Sequence, residues 1–199
     1  RRLESIQTRR QNKNLFGCGL ERHLDKTVIK EKDILINIGS DKHIKCVAID
    51  HPKSIANMIH NFKKKTTINY KNLIVPVQKR GNCWFNTMFM CLFISDKGKK
   101  FMEYYHQLMI KGKTNNDKNI SPKKLNDALL LFAISIEACY NNSNVKYKSL
   151  AYNTNNIITA IHKALPNRSG IKDIDEYGNP YLFYSDLIDY LENDKKSKI

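Results

Sequence analysis

Apolar residues recur along this chain with two spacings. Near the N-terminal side, Ile34-Leu35-Ile36-Asn37-Ile38 is a short apolar run closed by the turn signal Gly39-Ser40-Asp41, and His43-Ile44-Lys45-Cys46-Val47-Ala48-Ile49 follows it. These two runs predict a β-hairpin. Asp50-His51-Pro52 predicts a helix start, with Pro near the first position where its missing N–H costs nothing. Ile55, Met58, Ile59 and Phe62 then recur at helical spacing, and Lys63-Lys64-Lys65 closes the helix at the negative end of its dipole. Leu73-Ile74-Val75-Pro76-Val77 reads as a short extended segment, and Pro76 makes it an edge or irregular strand.

From Cys83 to Ile94 nearly every side chain is large and apolar, which predicts a helix buried on all sides. Ser95-Asp96 ends it or caps a following amphipathic helix whose inward stripe is Phe101, Tyr104, Tyr105, Leu108 and Met109. Residues 111–120 read as a polar loop, and Ser121-Pro122 as a helix start with an N-cap serine. Leu125, Leu129, Phe132, Ile136 and Cys139 mark the inner face of that helix, which Asn141-Asn142 ends. A shorter helix spans Asn155 to Leu165 and stops at Pro166. Tyr177-Gly178-Asn179-Pro180 is a turn before a last helix, Tyr181 to Leu191, with Leu182, Phe183, Leu187, Ile188 and Leu191 inward. The fold class is therefore α+β and predominantly helical, with a small β element first. Residues 1–22, basic and weakly apolar, read as a flexible arm, and residues 23–199 as one domain. The chain begins with Arg1 rather than Met, so truncation is expected, at the C-terminus above all.

Composition adds a partner question. Of 199 residues 41% are hydrophobic, enough for a core, yet the formal charge is +15. Such an excess suits nucleic acid, an acidic protein surface or anionic lipid. The abundance of Lys, Asn and Ile equally fits AT-rich coding. Lys far outnumbers Arg, which argues against specific base readout. No apolar stretch approaches the roughly 18–20 residues of a membrane span, and no signal peptide opens the chain. The Lys runs at 63–65, 123–124 and 195–196 read as solvated helix ends. Aromatic residues at helical spacing read as core stripes, because a base-stacking platform needs them exposed among Lys or Arg. The five cysteines are scattered and form no CxxC pair. That excludes a disulfide framework and metal-ligand spacing, places three of them in apolar segments, and suggests a reducing compartment. No phosphate-binding glycine loop is present, and no cofactor or metal is expected.

Cys83 stands apart. Thiol hydrolysis needs a thiolate, a base, a group that orients the base, and donors for the oxyanion. Gly81-Asn82-Cys83 puts the sulfur at a helix N-terminus, where unpaired N–H groups and the dipole favour the anion. Gly81 allows a tight backbone turn there. The amide of Gln78 can fold back to join the Cys83 N–H as an oxyanion donor, and Asn82 is a second candidate. Of the histidines, His106 and His162 follow Cys83. His106 is expected on the solvated side of its helix, and His162 lies within a helix with no evident acidic partner. Asp173, Asp175 and Glu176 read as acids of a turn without supporting groups.

Gly81-Asn82-Cys83-Trp84-Phe85-Asn86-Thr87, followed by Met88 and an apolar run, resembles the cysteine box of ubiquitin-specific proteases. In that box a Gly-Asn-Thr-Cys phrase leads into an aromatic, an apolar residue, Asn and a small residue. The chain lacks the Thr before the cysteine. It carries Gln78 where that family usually has Asn, and a Gln at this offset is closer to papain-like and Josephin-type sites. Asn-Cys-Trp-Phe-Asn with a downstream Phe-Ile-Ser is similar to papain-like proteins of large DNA viruses, with which AT-rich coding agrees. The resemblance covers residues 75–96. It implies the helical half of a papain-like domain, Cys83 as nucleophile, Gln78 as oxyanion donor, and a base that follows in sequence: His162, or a residue beyond Ile199. The implied substrate is a ubiquitin-like protein or a viral precursor. Two rival readings stand beside it. One is a catalytically inactive minor capsid-type component of a virus particle, contacting other virion proteins. The other is a non-specific nucleic-acid binder. The implied location is a virion or the cytoplasm.

Overall fold

The computed structural model describes Cys18 and residues 34–40, 42–63, 73, 75–79, 81–140 and 154–192. Apart from Cys18, the arm 1–22 lies outside the described residues, as do Lys64-Lys65, Asn141-Asn142 and the Lys run at 195–196. Strands β1 (Leu35–Asn37) and β2 (Cys46–Ala48) pair antiparallel, with Leu35 opposite Ala48 and Asn37 opposite Cys46. The Asn37 side chain stabilises the connecting turn by accepting from the N–H groups of Gly39 at 2.9 Å and Lys45 at 3.1 Å. The hairpin is followed by α1 (Pro52–Lys63), α2 (Cys83–Phe89), α3 (Asp96–Lys111), α4 (Lys123–Tyr140), α5 (Asn155–Ala164) and α6 (Pro180–Leu191). The chain is thus α+β and predominantly helical. Leu73 and Val75–Lys79 form no strand among the described residues. No described helix is long and apolar enough to cross a membrane.

Helix α4 is the axis of the fold. Every residue from Ala128 to Cys139 is buried, and α1, α3 and α5 pack around it. All five positions expected to face inward do so. The helix that starts at Cys83 runs through α2 and continues as a π-helical segment, Met90–Ile94. It is not buried on all sides: Phe85, Phe89, Phe93 and Ile94 are buried, whereas Cys83, Thr87 and Cys91 are exposed on one stripe. Ser95 caps α3 by accepting from the Gly98 N–H at 3.0 Å. Gly98 is required there, because a Cβ would come within 1.9 Å of the Cys91 carbonyl oxygen where the helices cross.

Three faces differ from those the apolar spacing predicts, in α1 and α3 because polar side chains take the inner face. In α1 the buried residues are Ser54, Asn57, Met58, Asn61 and Phe62, while Ile55 and Ile59 are half-buried. Ser54 donates to the Ala48 carbonyl at 2.9 Å and Asn61 to Glu137 at 3.0 Å, so polar side chains with internal partners turn the helix. In α3, Phe101 and Tyr104 are exposed, and the inward face is Met102, His106, Leu108, Met109 and Ile110. His106 is therefore fully buried rather than solvated, stacked on Phe62 with ring centroids 4.0 Å apart. In α6, Tyr184 is buried, stacked on Phe85 and bonded to its carbonyl, and Leu182 is 49% exposed.

The cysteine reading also changes. Cys18 and Cys46 are joined in a disulfide across a separation of 28 residues. Cys139 is buried, while Cys83 and Cys91 are exposed free thiols. The bond ties a point of the N-terminal segment to β2.

Between α1, α3 and α4 lies a buried polar group. Glu137 accepts from Asn61 through one carboxylate oxygen, and the other has no hydrogen-bond partner within the protein. Lys99, buried nearby, places its ammonium 5.4 Å from the Phe62 ring centre, and both His106 ring nitrogens lack hydrogen-bond partners. Burial, opposed by the Asn61 bond and the Lys99 charge, pushes Glu137 from 4.5 up to about 8. Burial, reinforced by the Lys99 charge, pushes His106 from 6.5 down to about 3. The Glu137 contribution to stability is fully present below pH 4.5 and is lost as pH rises towards about 8. The His106 contribution runs the other way, present above pH 6.5 and lost as pH falls towards about 3. The two slopes cancel between 4.5 and 6.5, and stability falls on either side. The steepest fall is about 1.4 kcal/mol per pH unit and group. Urea denaturation in pH steps tests this. Glu137→Gln is expected to flatten the alkaline fall and leave the acid one; an unaltered alkaline slope would show that Glu137 is not its source.

Candidate active site

The turn before α2 is built around one buried amide. Asn82 accepts from the Lys79 N–H at 3.1 Å and donates to the Val77 carbonyl at 3.3 Å and to the Thr154 hydroxyl oxygen at 3.1 Å. The Thr154 hydroxyl in turn donates to the Asn86 side-chain oxygen at 2.6 Å. The first residue before α5 is thereby bonded to both sides of Cys83 in sequence. Both N–H groups of the Asn82 amide are spent on this brace. Asn82 is thus not a free oxyanion donor; it is a structural residue that bends residues 77–82 into the helix. It makes no side-chain cap, so the first N–H groups of α2 have no side-chain partner at this end.

Cys83 is the first residue of α2 and an exposed free thiol. Its orientation follows from Phe85. At about 100° per residue, Cys83 lies some 200° around the helix from Phe85, so burying one exposes the other. Gln78 is exposed, and no hydrogen bond anchors its amide among the described residues. Gly81 needs no special backbone conformation: a Cβ there would meet the Ile174 carbonyl oxygen at an ordinary 3.5 Å.

His162 lies in the last turn of α5, half-buried, with Nδ1 3.0 Å from the Ile171 carbonyl oxygen. The loop that supplies this carbonyl is itself fixed. Gly170 donates to Asp186 at 2.8 Å, the Arg168 guanidinium donates to the Asp186 carbonyl at 3.1 Å, and Ile171 and Ile174 are buried. Asp173 accepts from the Thr159 hydroxyl at 2.8 Å and from the Ile174 N–H at 2.7 Å. Partial burial works to raise the Asp173 carboxyl; those two hydrogen bonds and the charges of His162 and Lys163 outweigh it and hold it below the ordinary value. Glu176 is held low by its bond to Lys172, 3.2 Å away, with a smaller contribution from His162. Asp173 therefore has supporting groups, Thr159 and the Ile174 N–H, that the turn does not show in the sequence. Their signal was the return of the chain after Pro166, which a residue-by-residue inspection does not reveal.

The start of α5 and the loop after it both reach the turn before α2, and His162 is fixed by that loop. Thr154, before α5, holds Asn82 and Asn86; Ile174, after it, faces Gly81; His162 lies between these anchors in sequence. No hydrogen bond joins Cys83 to His162 among the described residues. His106, the other histidine after Cys83, stays in the buried group between α1, α3 and α4. No group of His, Cys, Asp and Glu among the described residues has a metal-holding arrangement. A cleft of about 290 Å³ near the starts of α1 and α4, bounded by Asp50, Lys111 and Asn126, shares no residue with the Cys83 region. Comparison with protein-family models, curated proteins and solved structures finds no match for the chain.

Trp84 carries the strain-sensitive contact of this region. Its indole meets Phe183 at 5.3 Å and Phe85 at 5.8 Å between ring centres, and Gly178 lies flat against it. A Cβ at Gly178 would fall 2.3 Å from the indole. Gly178→Ala is expected to destabilise the fold by roughly 1–3 kcal/mol through overpacking. Trp84 is the sole tryptophan, so its emission reports the displacement directly. Unchanged emission and an unchanged urea midpoint would refute this contact.

Proposed function

We propose that the chain is a papain-like thiol peptidase with Cys83 as nucleophile, acting on a protein or ubiquitin-like substrate. The observation that carries this reading is the orientation of His162. Donation from its Nδ1–H to the Ile171 carbonyl leaves Nε2 with the free lone pair, as a general base requires. In the proposed reaction Nε2 takes the Cys83 proton and the sulfur adds to the scissile carbonyl. The Cys83 N–H and the Gln78 amide stabilise the oxyanion. The tetrahedral adduct expels the amine, which takes its proton from His162, and water then cleaves the thioester with His162 again accepting a proton. Cys83 and His162 are not hydrogen-bonded, so this reading requires substrate binding to bring the two side chains within reach.

That missing bond also favours a second reading, a catalytically inactive virion component that keeps the shape of such a site. A virion or cytoplasmic setting belongs to both readings. The Cys18–Cys46 disulfide weighs against a strongly reducing one.

Cys91 supplies an internal control, since it is exposed on the same helix stripe. Labelling with a small thiol electrophile is expected to favour Cys83 over Cys91 by about tenfold or more. Cys83→Ala should abolish the fast phase and His162→Ala should slow it. Equal rates at Cys83 and Cys91 would remove the peptidase reading and leave the scaffold.

A further inference from the structure

Helix α3 presents to solvent what its spacing had assigned to the core. At about 100° per residue, Lys97, Lys100, Phe101 and Tyr104 fall within one arc of roughly 100°, and Lys111 returns to it beyond the buried Leu108. The three lysines are exposed, Phe101 is 58% exposed and Tyr104 47%. The opposite arc carries Met102, His106 and Met109, all buried. The outward arc contains no carboxylate. Glu103 lies to one side and is occupied by Lys63 at 3.3 Å, and Asp96 lies beyond Lys100 at the helix start.

The rings are held in place. Tyr104 donates its phenol proton to Asn115, and Tyr105 donates to Glu192, which with burial raises the Tyr105 phenol to about 12. Tyr105 packs between its neighbours, 6.0 Å from Phe101 and 5.6 Å from Tyr104 between ring centres. The result is a shelf of oriented aromatic rings flanked by lysines, with positions 97 and 111 about 21 Å apart along the axis. No ion pair occupies Lys97, Lys100 or Lys111 among the described residues. Exposed aromatics alone suit many partners. Their interleaving with lysines, on a chain of net charge +15, selects a polyanion that also has flat apolar faces.

We propose that the outward face of α3 binds single-stranded nucleic acid, with bases stacked on Phe101 and Tyr104 and phosphates met by Lys97, Lys100 and Lys111. Sequence preference is not expected, because stacking accepts any base and ammonium groups read only phosphate. A duplex is a poorer ligand, since its bases already stack on one another. The surface is separate from Cys83 and independent of the peptidase reading.

The test uses the full chain and a fluorescent oligothymidine of about 15 nucleotides, with the matching duplex as comparison. Anisotropy is expected to show tighter binding of the single strand. Phe101→Ala and Tyr104→Ala should each weaken it by roughly 5- to 150-fold while the chain stays folded by circular dichroism. Lys97→Gln and Lys100→Gln should each lower the salt slope by about 0.7. Cys83→Ala should bind like the parent, so loss of peptidase chemistry and loss of strand binding read out separately. Undiminished binding by the alanine variants would place any affinity elsewhere and overturn the proposal. So would equal affinity for the duplex, or self-association in place of strand binding that Phe101→Ala abolishes in sedimentation.

Discussion

The burial of Phe85 is the constraint on which the rest of the structure turns. Its ring meets Phe132 of α4 at 5.6 Å and Phe183 and Tyr184 of α6 at 5.5 and 5.3 Å between centroids. Its carbonyl accepts the Tyr184 hydroxyl at 3.3 Å, which gives that buried phenol a partner. A ring so enclosed fixes helix rotation as well as position. With Phe89 and Phe93 following on the same side, α2 can turn outward only along Cys83, Thr87 and Cys91. The exposure of the thiol is therefore a consequence of core packing. Removing Phe85 would loosen the helix that aims it, and truncating an aromatic in such a core costs about 3–5 kcal/mol.

Two buried polar clusters serve this core differently. In the Asn82–Thr154–Asn86 cluster, the Asn82 amide and the Thr154 hydroxyl find partners on both sides, and the cluster welds α5 to the turn before α2. In the Asn61–Glu137–Lys99–His106 group, a carboxylate oxygen and both imidazole nitrogens are left without hydrogen bonds. A satisfied network rigidifies, whereas a partly satisfied one stores cost in the protonation states of its members. Stability reserve is thus spent between α1, α3 and α4, away from Cys83, and the turn beside the thiol is the stiffer of the two.

Local rules made most element boundaries legible. Pro52 opens α1, Ser95 caps α3, and the apolar steps of α4 all point inward, because propensity, capping and periodicity agree there. The faces of α1 and α3 were hidden for one reason. Ser54, Asn61, Lys99 and His106 count as polar in any pattern, yet they lie inside, where partners or packing hold them. Once they take the inner face, Ile55, Phe101 and Tyr104 are displaced outward. At the site, the position of Cys83 was readable from a glycine turn running into an apolar helix. The brace on Asn82 and the pairing of Cys18 with Cys46 were not, since each depends on residues distant in sequence that only the completed fold brings together.

Helix α5 decides what this arrangement can do. Ile157, Ile158 and Ile161 are buried, and α5 packs against α4, so the helix behaves as part of the core. Its start is bonded to Asn82 and Asn86, and His162 follows Thr154 by eight residues, about 12 Å along the axis. A rigid rod pinned at one end cannot carry its far end to Cys83 by a side-chain rotation alone. The return loop supplies the second connection, since Ile171 holds the imidazole and Ile174 lies against Gly81. That loop is anchored to α6 through Asp186, and α6 in turn encloses Phe85. The thiol and the histidine are therefore referenced to the same aromatic core by two routes.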